Sequence, residues 1–251
     1  DYEGVDDRAF LGPAAAEEVH AKLAKVAGVQ IPAWRSVLKS VQVGEDHRRI
    51  AEILRVGHLA NCTITEAGDQ IELATTIIDP EKEAVLWSGR QTYASADLVY
   101  ALSEISRGIA DALSVRMTAD ESDRLARAPT NNPEAYEHYL RARQAQGSSH
   151  WYIPNLMYAL EIGEDEYELA MNHYRAAVEL DPAFAEAWAG MATATRGYGS
   201  NAKGEDKFGA ALKSYGEQAY EYAERALAHD PCNAEALLLH HALFLNFTPE
   251  A

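Results

Sequence analysis

Four groups of residues in this chain have types and spacings that could do chemistry: a glycine-rich segment, an acidic run, several histidines and two cysteines. In Gly197–Gly209 (GYGSNAKGEDKFG), Gly199 and Gly204 have the spacing of a phosphate-binding loop. Such a loop also needs a lysine for the outer phosphates and a hydroxyl for magnesium, and Glu205-Asp206 stand in those places. Two carboxylates would repel phosphate, so the segment reads as a flexible loop. Glu161–Glu168 (EIGEDEYE) suggests a cation site but lacks the ligand spacing of a calcium loop. A carboxylate-rich first helical turn, favoured by the helix dipole, is the reading adopted. His240-His241 and the separated His138 and His173 invite a metal ion. Adjacent helical positions point about 100° apart, and no HExxH or CxxC accompanies them, so they read as surface or core histidines. Cys62 and Cys232 make neither a disulfide framework nor a zinc site, and no GxSxG elbow is present. The expectation is no catalytic residue, no cofactor and no metal site.

Composition narrows the partners. A net charge of −17 opposes nucleic acid, whose phosphates are held by Lys and Arg, and opposes an anionic membrane surface equally. Hydrophobic content of 47% with 24% charged residues is that of a soluble globular protein. No apolar run of about 18 residues is present, so no direct membrane contact is expected within this chain. A length of 251 residues predicts two domains.

The elements that would position any site follow from hydrophobic period. Pro13 suits a first helical turn, and Ala16, Val19, Leu23 and Val26 mark one face before Gly28. Val29–Pro32 is too short for a helix and is predicted as a strand. Asp46 is an N-cap for a helix carrying Ile50, Ala51 and Leu54. The period then changes from 3.6 to 2: His58–Thr65 is β-rich, Ala67-Gly68-Asp69 is a turn, and Ile71, Leu73, Thr75 and Ile77 share one face. Asp79–Lys82 turns the chain into Val85–Tyr93, with Val85, Trp87 and Tyr93 predicted on one face. Asp97 opens a helix with Leu98, Leu102, Ile105, Ile109 and Leu113 on one stripe. The polar stretch Ala119–Asn132 is predicted to be a linker.

Beyond it, Ala170, Tyr174 and Ala177 share a helix face, Asp181-Pro182 stops that helix, and Glu186-Ala187-Trp188 opens another. Ala219, Ala223, Ala226, Asp230-Pro231 and Ala234-Glu235-Ala236 repeat the pattern, and Pro133–Tyr136 with Tyr139-Leu140 have the form of an opening helix. This half resembles a tetratricopeptide (TPR) array, whose helix pairs repeat every 34 residues or so. Trp188 and Met191-Ala192 stand at its W and LG positions, and Ala170, Tyr174, Ala177 and Pro182 at A, F, A and P. Pro182 and Pro231 are 49 residues apart (231 − 182), so insertions are expected near Gly197–Ala210 and Gly147–Ile162. By analogy with TPR grooves, Glu137, Arg141, Ala189, Thr193 and Arg196 would face a concave surface that binds a peptide or protein segment.

The first half resembles the amino-terminal TolB-like domain that precedes TPR arrays in some bacterial receptor-type adenylate cyclases and CadC-like winged-helix regulators. Ile50–Leu54, the hairpin about Gly68-Asp69, Ile77-Ile78-Asp79 and Leu86-Trp87 carry the match. Arg55, Asn61 and Cys62 depart from it, and the upstream strand the family implies would lie before Asp1. The expected organisation is an α+β domain with an antiparallel β-meander over 1–118, a linker over 119–132, and an all-α TPR-like array over 133–251. The resemblances imply a non-catalytic interaction or regulatory module of a larger bacterial signalling protein, either cytoplasmic or extracytoplasmic. Alternatives are the regulatory region of an adenylate cyclase with its catalytic domain elsewhere, or a small-molecule sensor domain. The repeat is unfinished at Ala251, so the chain is expected to be a piece of something longer.

Overall fold

The computed structural model describes residues 2–3, 8–42, 46–147, 162–200 and 210–247. They form two compact units, Asp1–Ala128 and Pro129–Ala251. The first is built on an antiparallel meander with helices; the second is helical.

In the first unit α1 (Leu11–Leu23), α2 (Trp34–Gln42) and α3 (His47–Leu54) precede strands β2 (Leu59–Ala67), β3 (Gln70–Asp79) and β4 (Ala84–Ala94). Helix α3 starts where its cap predicts, with the Asp46 carboxylate accepting from the Arg49 backbone N–H at 2.8 Å. The β2–β3 hairpin closes on Gly68, whose φ of +67° costs a side-chain-free residue nothing. Along β3, Ile71, Leu73, Thr75 and Ile77 are buried, as their period of two predicts. Helix α4 (Leu98–Ala112) packs against β3, β4 and α1 and buries Leu98, Leu102, Ile105 and Ile109. The β3–β4 turn is tied by Asp79, which accepts from the Glu81 and Lys82 N–H groups at 3.1 and 3.0 Å and from Lys82 Nζ at 2.7 Å. The Lys82 ammonium bond, first among these, holds the Asp79 carboxyl below its ordinary pKa.

Three expectations for this unit are corrected. Residues 29–32 are not a strand: they run without regular hydrogen bonding to α2. A register shift between Ile77 and Ile78 pairs Val85 with Ile78 and Trp87 with Ile77, so Val85 leaves the face of Trp87 and Tyr93 and is 62% exposed. Trp87 instead lies over Gly89, where an added Cβ would meet the ring at 2.6 Å. A two-residue strand β1 (Tyr2–Glu3), not expected from the sequence, also pairs parallel to β2. Finally, Ala119–Ala126, read as linker, is a helix, α5. Thr118 and Glu121 form a reciprocal capping box, Leu125 is buried, and the Glu121 carboxylate also accepts from the Ala27 N–H at 2.8 Å. The expected linker overlooked this box because its four residues sit among polar ones. The division between the units falls at Ala128/Pro129, after α5.

The second unit runs α6 (Pro133–Gln146), α7 (Glu164–Leu180), α8 (Ala185–Ser200), α9 (Ala210–His229) and α10 (Ala234–Phe247). Each helix packs on the next, and α8 also touches α6 and α10. The pairs are antiparallel: Asn132, capping α6, reaches the Leu180 carbonyl at the end of α7, and Tyr167 at the start of α7 stacks on Tyr198 near the end of α8 at 4.3 Å. Small residues allow the close approach. Ala192, Ala219 and Ala223 cluster with Leu239 and Leu243, and Ala189, Ala226 and Ala236 form a second seam. Where α8 crosses α7, Gly190 leaves room for the Tyr174 ring, which a Cβ there would strike. The acidic run falls where the dipole favours it, with Glu164, Asp165 and Glu166 in the first turn of α7. Most of the two expected insertions, residues 148–161 and 201–209, lies outside the described residues.

Candidate functional site

Repetition in the second unit brings together a polar cluster that no local motif announces. The openings of α6, α8 and α10 share a Glu-Ala pair, Glu134-Ala135, Glu186-Ala187 and Glu235-Ala236. In α10 the alanine turns into the seam with α9, and Glu235, one residue earlier, turns toward α8 and α6. Its carboxylate accepts from Thr193 Oγ1 of α8 at 2.5 Å and from Arg143 Nη1 of α6 at 3.1 Å. The Arg143 side chain is only 7% exposed, against 27% for Glu235, and its guanidinium lies 5.8 Å from the Tyr139 ring centroid. A buried guanidinium is retained only when its charge is compensated, and Glu235 supplies that compensation across three alternate helices. Nearby, Tyr174 Oη donates to Gln146 Oε1 at 2.6 Å between α7 and α6.

The five residues expected to line a groove are not gathered on one open surface. Glu137 and Arg141 pair with each other at 2.9 Å and are about one third exposed. At 100° per residue they lie roughly 120° and 160° around α6 from Arg143, on its other side. Ala189 is fully buried in the seam with Ala226 and Ala236. Thr193 is also buried, its hydroxyl shared between the Ala189 carbonyl and Glu235. Arg196, one turn further along α8, is half-buried, and that burial lowers its pKa. Ala189 and Thr193 therefore serve helix packing, which a groove reading based on helix position alone does not anticipate. Arg143 and Glu235 were missed; the recurring Glu-Ala pair was the available signal.

Two histidine readings separate here. His240 stacks on Tyr220 with centroids 4.6 Å apart, while His241 is exposed on another side of α10. His138 and His173, 35 residues apart in sequence, meet between α6 and α7 with their Nδ1 atoms 3.0 Å apart. Burial first, then the charges of His138 and Arg141, lower the His173 pKa. Among the described residues no group of three or more His, Cys, Asp or Glu converges, and no helix is long and apolar enough to cross a membrane.

The chain was also compared with known proteins. No family model matches it. It is 27% identical over 142 residues to a protein named "Putative adenylate cyclase 3" from Rhizobium meliloti (strain 1021), a stretch that is 57% of this chain and 24% of that protein. The chain thus spans about a quarter of the length of the curated relative it matches.

Proposed function

We propose that this chain is a non-catalytic regulatory and protein-interaction region of a larger bacterial signalling protein. An adenylate cyclase whose catalytic part lies outside these residues is the parent the comparison favours. The observation that carries the reading is the match to part of a protein bearing that name. The antiparallel helices with alanine seams support a TPR-like array downstream of a TolB-like domain, the arrangement the sequence resembles. In this reading the helical unit holds a peptide or protein segment, and Glu137, Arg141 and Arg196 are the expected residues that retain exposed surface for it.

The test is made in the parent protein. Cyclic AMP formation is measured with the region intact and with the part matching residues 133–251 removed, together with capture of partners by the isolated chain. Loss of regulation with basal turnover retained supports the proposal. Loss of basal turnover from a folded catalytic part counts against it, as does a parent with no nucleotide cyclase activity.

A further inference from the structure

The imidazole pair of the first helical hairpin is absorbed by none of the contacts above. His138 of α6 and His173 of α7 turn their Nδ1 atoms toward each other at 3.0 Å, with ring centroids 5.3 Å apart and planes inclined by 40°. Both rings are half-buried, so an ion can reach them from water. An imidazole nitrogen binds a transition ion at about 2.0–2.1 Å. Two nitrogens 3.0 Å apart then subtend roughly 94° at a shared ion. That is the angle of neighbouring ligands in a square-planar or octahedral site, whereas a tetrahedral ion would set them about 3.4 Å apart.

We propose that His138 and His173 form a two-histidine site for a divalent transition ion that accepts square coordination, copper(II) first and nickel(II) second, with water completing the shell. The backbone is already arranged for it. The ligands project from neighbouring antiparallel helices that are locked together by Tyr139 against Tyr174 and by the Tyr174–Gln146 hydrogen bond. Binding therefore orders two side chains rather than a loop. Arg141, whose charge acts on His173, opposes the ion, and its guanidinium is paired with Glu137 on the same helix at 2.9 Å. With two protein ligands the site is reversible, and it would pin α6 to α7.

Copper(II) is titrated into the intact chain at neutral pH, followed by calorimetry and by electron paramagnetic resonance of the first equivalent. The expected result is nitrogen splitting from two imidazoles and a raised melting temperature of the helical unit. His138→Gln and His173→Gln should each weaken binding by about 10-fold or more, since even partners beyond the ligands contribute 10–100-fold. Zinc should bind more weakly than copper, and Arg141→Gln should strengthen binding. Copper held equally well by the double variant places it on the other histidines and overturns the proposal. No uptake at all, or a signal from fewer than two imidazoles in the unaltered chain, leaves a histidine–histidine hydrogen bond only and also overturns it. The resonance measurement needs no substitution, so it decides the matter even if a variant does not fold.

Discussion

In the first unit, β3 presents Ile71, Leu73 and Ile77 toward a core that also buries Leu98, Leu102, Ile105 and Ile109 of α4. In the second, the helix seams are lined by Ala189, Ala192, Ala219, Ala223, Ala226 and Ala236. The sheet unit is stabilised by side-chain bulk. Its strands stand away from the helix, and the space between must be filled with branched and leucine side chains. The helical unit is stabilised by closeness, since small side chains let helix backbones approach and let a few large rings, Tyr136, Tyr174 and Phe184, fill the remaining gaps. The two units should therefore fail under opposite substitutions.

The largest effect is expected from shrinking the sheet core. Ile71→Ala should cost about 2–5 kcal/mol through lost transfer energy and a cavity, read by urea unfolding of the first unit. An alanine-to-glycine change at Ala223 should cost far less than this. Next comes the cross-helix charge cluster. Glu235→Ala leaves the Arg143 guanidinium in its buried position without this carboxylate, and should cost about 2 kcal/mol, less than the 3–5 typical of full burial because Glu235 is partly solvated. Arg143→Met should cost less than Glu235→Ala, because water can reach the carboxylate left behind; equal losses would mean that packing, not charge, governs the cluster.

Overfilling the alanine seam comes third. Ala223→Leu should cost about 1–3 kcal/mol by forcing α9 from α8 and α10, while Ile71→Leu, which conserves volume, should cost less than about 1.5 kcal/mol. If enlarging Ala223 is harmless, the contrast between the units is wrong. A fourth change, Thr118→Ala, should remove about 1 kcal/mol by opening the capping box of α5. The partner, Glu121, has a pKa lowered to about 2, with the Thr118 backbone N–H as the leading cause. Its contribution is therefore present above its ordinary value of 4.5 and is lost as pH falls from there toward 2. Glu121→Gln should flatten the first unit's stability over that acid range, whereas Thr118→Ala, which keeps the Thr118 and Ala27 backbone donors, should leave most of the dependence in place.

The smallest effect separates the units by their histidines. Burial lowers the pKa of His20 in the first unit and of His173 in the second from 6.5. For each, the unfolded chain binds the proton more tightly, so stability is full above 6.5 and falls as pH drops through 6.5 toward the folded value. His173→Asn should flatten this decline in the helical unit alone, and His20→Asn in the sheet unit alone, followed by thermal melts across the same pH series.

Much of this was legible in residue order. Alternation in β3, the Asp46 cap, the Gly68 turn, the α4 stripe and the alanine ladder are local patterns, and local patterns survive without knowledge of neighbours. The misplacements share a physical reason as well. Val85 changed faces because a register shift opposite Ile78 depends on two strands at once. Residues 119–126 are polar enough for a linker, yet one buried leucine and a box of two residues suffice for a helix. Ala189 and Thr193 sit at helix positions that a groove would use, and only the approach of α9 and α10 buries them.

By itself the order of residues determined the kind of the strongly periodic elements, β2, β3, β4, α3, α4 and the alanine-laddered helices, and the small-residue spacing that lets helices nest. These depend on backbone period and side-chain size over a few consecutive positions. The tertiary structure alone decided which distant groups meet: Arg143 with Glu235 across 92 residues, and His138 with His173 across 35. Such pairings depend on how helices turn about their axes when they pack, and that rotation is set by the shapes of neighbours far away in the chain.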